Sequence, residues 1–294
     1  MALNLLHLRA FAAVAEHGGF SHAAKRLRVS QPAISKAVRE LESSLDVALI
    51  DRSGRVPRLT AAGTALFARA RELFSVERLA EEELHAMRGV QRGVLRVGAS
   101  TTIATYLLPT LLGRFHETHP SIVLRVASAN TRAVARMLLE RRVDVALVEG
   151  PVAHSQLEVT EWRRDEMIVI VTAGHPLTRR RRVPVRALAD EAFIVRERGS
   201  GTREVAEQAL AAHGIAVRQA MELGSTEAIK QAVAAGLGVA IVSRSAARDQ
   251  LALGRIEELH VADLTIDRAL SRLELRSRPV SAAARAFEQI LAGP

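Results

Sequence analysis

Cysteine is absent from the 294-residue chain, which excludes disulfides, thiolate metal sites and cysteine nucleophiles. Aromatic residues contribute only 3%, so any core must be built from Leu, Val, Ile and Ala. The longest apolar run, Val233 to Val242, is far short of the ~20 residues that cross a bilayer as a helix. The opening MALNLLHLRAFAAVAEHGGF interrupts its apolar residues with His7, Arg9 and Glu16 and places no basic stretch ahead of them, so it lacks the pattern of a secretory leader. These absences predict a soluble, unexported protein of the cytoplasm, with no membrane partner.

What is present is an ordinary globular balance of 48% apolar and 25% charged residues, with a net charge of +9. The length suits two or three folding units. The positive excess comes mostly from arginine, whose planar fork suits phosphate and base edges. Its distribution says little, because residues 1 to 60 hold nine Lys/Arg against five Asp/Glu and the rest of the excess is spread out.

The first sixty residues carry the most local information. Leu5, Leu8, Phe11, Ala12 and Ala15 recur at helical spacing and stop at Gly18-Gly19, which predicts a first helix. Ser21 reads as the cap of a short helix to Leu27, with Ala23, Ala24 and Leu27 inward. Ser30 reads as a second cap, with Pro32 in the first turn of a helix through Ile34, Val38, Leu41 and Leu45. A short helix, a tight turn and a longer helix form a helix-turn-helix, whose second helix enters the DNA major groove. Gln31, Ser35, Lys36 and Arg39 share the face opposite Ile34, Val38 and Leu41. Gln can pair with adenine, Lys can reach guanine, and Ser30 at the helix start can hold a phosphate. Periodicity alone fits a merely solvated polar face equally well. Strand-like runs at Val47 to Ile50 and Val56 to Leu59 flank a turn and predict a β-wing carrying Arg52, Arg55 and Arg58, cations suited to backbone phosphate.

The segment AAKRLRVSQPAISKAVRELESSLDVALIDRSGRVPRLTAAG, continuous from Ala23 to Gly63, resembles the N-terminal signature of LysR-type transcription regulators. The resemblance implies that Gln31, Pro32, Ser35 and Lys36 face an operator and that Arg52, Arg55 and Arg58 contact its backbone. Ile50 departs from the family, which usually has an aromatic there, and the change falls on packing beneath the wing.

From Thr60 to about Arg88 no proline interrupts the chain, and Thr60 reads as the cap of a long helix. Leu73, Val76, Ala80 and Met87 form an apolar stripe among charged neighbours, the pattern of a helix that pairs with a second copy. A two-fold dimer would set two recognition helices about one DNA turn apart, or a multiple of it, and predicts an inverted-repeat operator in double-stranded DNA. The family resemblance implies further pairing into tetramers and RNA polymerase as an additional partner.

Beyond the Gly89 to Gly93 break, strand-like and helix-like segments alternate, which predicts a largely parallel α/β sheet in two lobes. Ligands of such sheets sit at the carboxyl ends of the strands. Ser100-Thr101-Thr102 follows the first strand, and Gly199-Ser200-Gly201-Thr202 holds the matching place in the second lobe. Each offers hydroxyls at the positive end of a helix dipole, so an anion between them would be held from both sides. Either motif alone also reads as an ordinary N-cap. The LysR resemblance extends here as a domain similar to periplasmic binding proteins. It implies that Ser100, Thr102 and Thr202 line an effector cleft, with Thr101, Asn130, Thr131, Ser200 and Thr226 as further walls and Arg196 or Arg203 adding charge. The string from Arg196 to Arg203 resembles members that sense small anions such as sulfur oxyanions or metabolic phosphates and carboxylates.

The predicted organisation is an α/β chain with a winged helix-turn-helix over 1–59, a linker and dimerisation helix over 60–89 and a two-lobed effector domain over 90–294. Lobe I covers about 90–160 and 268–294, and lobe II about 161–267. Other motifs point nowhere. His116-Glu117-Thr118-His119 is one residue short of the zinc-protease spacing, Gly236-Leu237-Gly238 precedes a strand, and Arg179 to Arg182 reads as a solvated loop. No metal or cofactor is predicted. A solute-binding module of a transport system and an enzyme using the cleft are the competing readings. The winged helix opposes the first, and the lack of a recognisable nucleophile and base opposes the second.

Overall fold

The computed structural model describes residues 3–54, 56–87, 93–276 and 280–293, and the side chains of 82, 83 and 85–87 are not described. The chain divides into two compact units, Met1–Glu81 and Glu82–Pro294.

In the first unit, α1 (Leu5–His17), α2 (Phe20–Leu27) and α3 (Gln31–Leu45) pack around Leu8, Phe11, Val14, Ala23, Ile34, Val38 and Leu41. The i, i+3 and i+4 spacing of these residues puts them on one stripe of each helix. Ser30 caps α3 as expected, accepting from Ala33 N at 3.4 Å. Ser21 does not cap α2. The helix starts one residue earlier, behind Gly19, and Ser21 Oγ instead donates to Gln31 Oε1 at 3.2 Å. The wing is shorter than its apolar pattern suggests, because β1 (Ile50–Asp51) and β2 (Arg58–Leu59) pair over only two residues each. Leu49 and Ile50 give their backbone N–H groups to the Glu42 carboxylate, at 2.9 and 3.1 Å, so α3 itself holds the base of the wing.

The long helix α4 (Ala61–Met87) begins at Thr60, whose hydroxyl accepts from Gly63 N at 2.9 Å and donates to Ala48 O at 2.7 Å. Gly63 lies directly on the Leu49 carbonyl, where a side chain has no room. Leu66, Phe67, Ala70 and Phe74 join the core of the first unit. Leu73, Val76 and Ala80 are exposed, so the predicted apolar stripe is only partly covered by its own chain.

The second unit is built on a seven-stranded sheet in the order β10-β6-β11-β5-β3-β4, with β9 also paired to β6. The strands are β3 (Gly93–Ser100), β4 (Ile122–Ala129), β5 (Val145–Glu149), β6 (Leu157–Thr172), β9 (Ala240–Ser243), β10 (Ile256–Leu259) and β11 (Ile266–Leu275). The sheet is mixed, correcting the expectation of a largely parallel one. Only β3 with β4 and β3 with β5 are parallel, while β6 and β11 run antiparallel from Leu157↔Leu275 to Met167↔Ile266. These two long strands are the crossings between lobes, and the change in β6 from a mostly exposed polar stretch, Glu158 to Arg164, to a buried run, Met167 to Val171, hides its length in the sequence. A separate parallel pair, β7 (Phe193–Arg196) and β8 (Gln219–Leu223), belongs to lobe II.

Helices α5 (Thr101–Tyr106), α6 (Leu108–Thr118), α7 (Thr131–Leu139) and α11 (Ala282–Ala292) cover lobe I, and α8 (Gly201–Ala211), α9 (Thr226–Ala234) and α10 (Arg244–Ala252) cover lobe II. The helical stretch after β3 is two helices, broken at Leu107 ahead of Pro109. Helix α10 and strand β10 had no clear apolar signature and were not expected. Separate clusters of Leu, Val, Ile and Phe pack each lobe.

Candidate functional sites

On α3, Gln31, Pro32, Lys36 and Arg39 are exposed and Ser35 is partly so, while Ile34, Val38 and Leu41 are buried. The predicted polar face therefore exists and faces away from its own core. Its ties are local and weak: Arg39 donates to Ser35 O and Oγ at 3.3 and 3.2 Å, and Lys36 lies 3.7 Å from Glu40. Exposed pairs of this kind contribute little stability and leave the cations available. Arg52 is more constrained, paired with Glu42 at 2.7 Å and resting over the Phe20 ring. Arg58 is exposed on β2. Arg55 lies outside the described residues.

In the second unit, Ser100 and Ser200 stand at the N-termini of α5 and α8, but neither hydroxyl caps its helix. Ser100 Oγ donates to Glu149 Oε2. From the other lobe, Thr202 Oγ1 donates to Glu149 Oε1 at 3.1 Å and accepts from Arg268 Nη1 at 2.8 Å. Arg268 is fully buried and binds Asp165 through Nε at 2.8 Å, and Ser243 Oγ donates to the other Asp165 oxygen at 2.8 Å. Thr131 Oγ1 accepts from Gly201 N at 3.3 Å and donates to the Glu149 carbonyl at 2.9 Å. Gly150, at φ +79°, meets the Gly201 backbone, so the lobes touch main chain to main chain where any side chain would hold them apart.

Arg196 is buried at the end of β7 and reaches across to Thr101 Oγ1 at 3.2 Å and to Thr226 Oγ1 at 3.1 Å, while Glu197 neutralises it at 2.8 Å. That pairing holds Glu197 below the usual carboxylate range despite the opposing effect of its burial. Arg203 donates to the Arg196 carbonyl at 3.0 Å and is paired with Glu207 and Glu222 at 2.7 Å each, so its charge is already matched. Asn130 caps α7 through Ala133 N at 3.0 Å. A second bridge closes the lobes where Tyr106 donates to Glu227 at 2.9 Å, with buried Lys230 on the same carboxylate at 2.7 Å.

Two side chains stand out. Thr102 Oγ1 and Ser200 Oγ, one from each lobe, are buried without a hydrogen-bond partner. Buried hydroxyls are normally satisfied, which makes this pair an exception within the cluster. The sequence reading missed Glu149, Asp165 and Arg268, each isolated in sequence from the motifs it serves, and Tyr106, whose partner Glu227 lies far along the chain.

A winged helix-turn-helix followed by a bilobed α/β domain with a polar cleft defines a ligand-responsive DNA-binding regulator. Residues 5–64 match the bacterial regulatory helix-turn-helix of the lysR family, residues 88–293 match the LysR substrate binding domain, and the chain belongs to the LysR family of transcription regulators. The RuBisCO operon transcriptional regulator of Allochromatium vinosum is 34% identical over 291 residues, covering 99% of this chain and 96% of that one. Among solved structures, a full-length OxyR variant from Pseudomonas aeruginosa superposes with a TM-score of 0.78 at 25% identity, covering 99% of this chain and 95% of that one. The regulatory domain of Synechocystis CcmR, in complex with 2-PG, gives a TM-score of 0.64 at 31% identity and covers 68% of this chain and 96% of that one. No helix among the described residues is long and apolar enough to cross a membrane.

Proposed function

We propose that the chain binds an inverted-repeat operator as a dimer and is switched by a small anion held between Ser100-Thr101-Thr102 of lobe I and Arg196, Ser200, Thr202 and Thr226 of lobe II. The functional division follows the predicted one: 1–59 reads DNA, 60–89 pairs two copies, and 90–294 senses the effector, in the cytoplasm and with no reaction assigned to the cleft. On the DNA side, Ser30, Gln31, Pro32, Ser35, Lys36 and Arg39 face the groove, and the wing arginines follow the phosphates. The exposed Leu73, Val76 and Ala80 support pairing through α4. An anion is supported by the 2-PG complex of the related CcmR domain.

The observation that carries the effector reading is the pair of unpartnered hydroxyls, Thr102 and Ser200, contributed by opposite lobes. A ligand that satisfies both binds the closed arrangement in preference to an open one, which is the differential affinity a switch requires. The test is thermal denaturation of the full chain with a panel of small anions. A ligand at a hundredfold its dissociation constant should stabilise by about 2.7 kcal/mol, and Thr102→Ala with Ser200→Ala should abolish that shift. A shift that survives both substitutions overturns the cleft assignment. A gel shift on the DNA upstream of the chain's own gene tests the operator reading, with salt-sensitive, sequence-specific retention as the expected result.

A further inference from the structure

We infer that Glu149 makes the cleft selective for oxyanions that still carry a dissociable proton, such as hydrogenphosphate, over fully ionised ones such as sulfate. This rests on the cleft reading above and adds a chemical class to it.

Glu149 ends β5 and is 1% exposed. Its carboxylate takes one hydroxyl from each lobe, Ser100 on Oε2 and Thr202 on Oε1, and lies 3.8 Å from Arg268 Nη1. Its main chain is pinned as well, with its carbonyl accepting from Thr131 and Gly201 packed on the same oxygen. The carboxylate is thus fixed between Ser100 and Thr202, and the hydroxyls two residues away on each helix start, Thr102 and Ser200, have no partner. A ligand bridging that pair would lie beside the hydroxyls that Glu149 holds.

A carboxylate can only accept hydrogen bonds, and its two oxygens offer roughly four positions, of which the two hydroxyls use two. The buried cations Arg196 and Arg268 already face Glu197, Asp165 and Glu149, so no cation is left to offset Glu149 where an anion oxygen meets it. Two like charges brought together away from water repel strongly. An O–H on the ligand replaces that repulsion with a charge-assisted hydrogen bond to Glu149, and its remaining oxygens take Thr102, Ser200 and the positive end of α8. A tetrahedral anion with no proton has nothing to offer Glu149.

The experiment compares inorganic phosphate with sulfate, which share shape and size but differ in carrying a proton near neutrality, by calorimetric titration into the full chain. Phosphate should bind and sulfate should be weaker by about tenfold or more, the usual result when a buried polar group loses its partner. Glu149→Gln supplies an amide that can donate, and should bring sulfate to the level of phosphate. Equal affinities in the unaltered protein overturn the role of Glu149 while leaving an anion cleft in place, and they do so whether or not the variant folds. Silence toward both anions in the protein and in Glu149→Gln sinks the cleft reading and the selectivity together.

Discussion

The two polar surfaces of this protein use similar side chains in opposite ways. On α3, Lys36 keeps 76% of its side chain in water and Gln31 and Arg39 are exposed. In the cleft, Ser100 and the Arg268 side chain keep none, and nearly every polar atom has a protein partner. The contrast fits the partner proposed for each surface. DNA is a polymer that carries its own hydrated charge, so a surface that reads it can stay open and gains by releasing counterions. A small ligand has too few atoms to order a wet surface, so its site must be assembled in advance and closed to water.

The largest expected effect breaks the closed half of this comparison. Arg268→Met leaves Asp165 and Glu149 buried without their cation and should cost about 3–5 kcal/mol of stability in the effector unit, measured by denaturant unfolding. The same change at exposed Lys36 should cost at most about 0.5 kcal/mol. A small loss at Arg268 would mean that water reaches the cluster and that the contrast is false. Next comes Gly201→Ala, which drives a methyl group into the Glu149 carbonyl and should cost about 1–3 kcal/mol while weakening anion binding, read by calorimetry. Unchanged anion affinity would show that lobe contact at Gly150 and Gly201 is dispensable.

Gln31→Ala sharpens the open half. It should lose about 1–3 kcal/mol of discrimination at one operator position, seen in competition gel shifts, with no change in the melting of the chain. Uniform loss across all sequences would reassign Gln31 to backbone contact. The smallest effect concerns Glu288 on α11, whose carboxyl is pushed up to about 7 by burial and then by its hydrogen bond with Glu274, against the pull of Arg272. The folded state therefore favours the protonated form. The stability this provides is fully present below the ordinary 4.5 and is lost as pH rises through about 7. Glu288→Gln should flatten the pH dependence of the unfolding midpoint across that window, and an unchanged slope would show that the pair shares no proton.

Legibility differed between the two halves for the same reason. The recognition helix was readable because its proline and its apolar stripe lie within fifteen consecutive residues, Gln31–Leu45, directly after its cap, Ser30. The wing was misjudged because its base is held by Glu42, from the preceding helix, in place of strand pairing. In the cleft, Ser100, Thr102 and Thr202 could be found as hydroxyls at helix starts. Glu149 gave no such signal, since a lone Glu at a strand end is ordinary until Thr202, 53 residues away, is seen to bond it. Arg268 and Asp165 are 103 residues apart and meet only because β6 and β11 run side by side.

The sequence by itself determined the helix-turn-helix, the long helix after it, the alternating α/β character of the remainder and the family. The first three rest on periodicity and caps, which act between residues a few positions apart, and the family on the signature from Ala23 to Gly63. The tertiary structure alone decided the mixed sheet, the main-chain contact at Gly150 and Gly201, and the identity of the carboxylate that occupies the cleft. Those depend on strands pairing across a hundred residues, where burial and charge compensation select partners that local pattern cannot indicate.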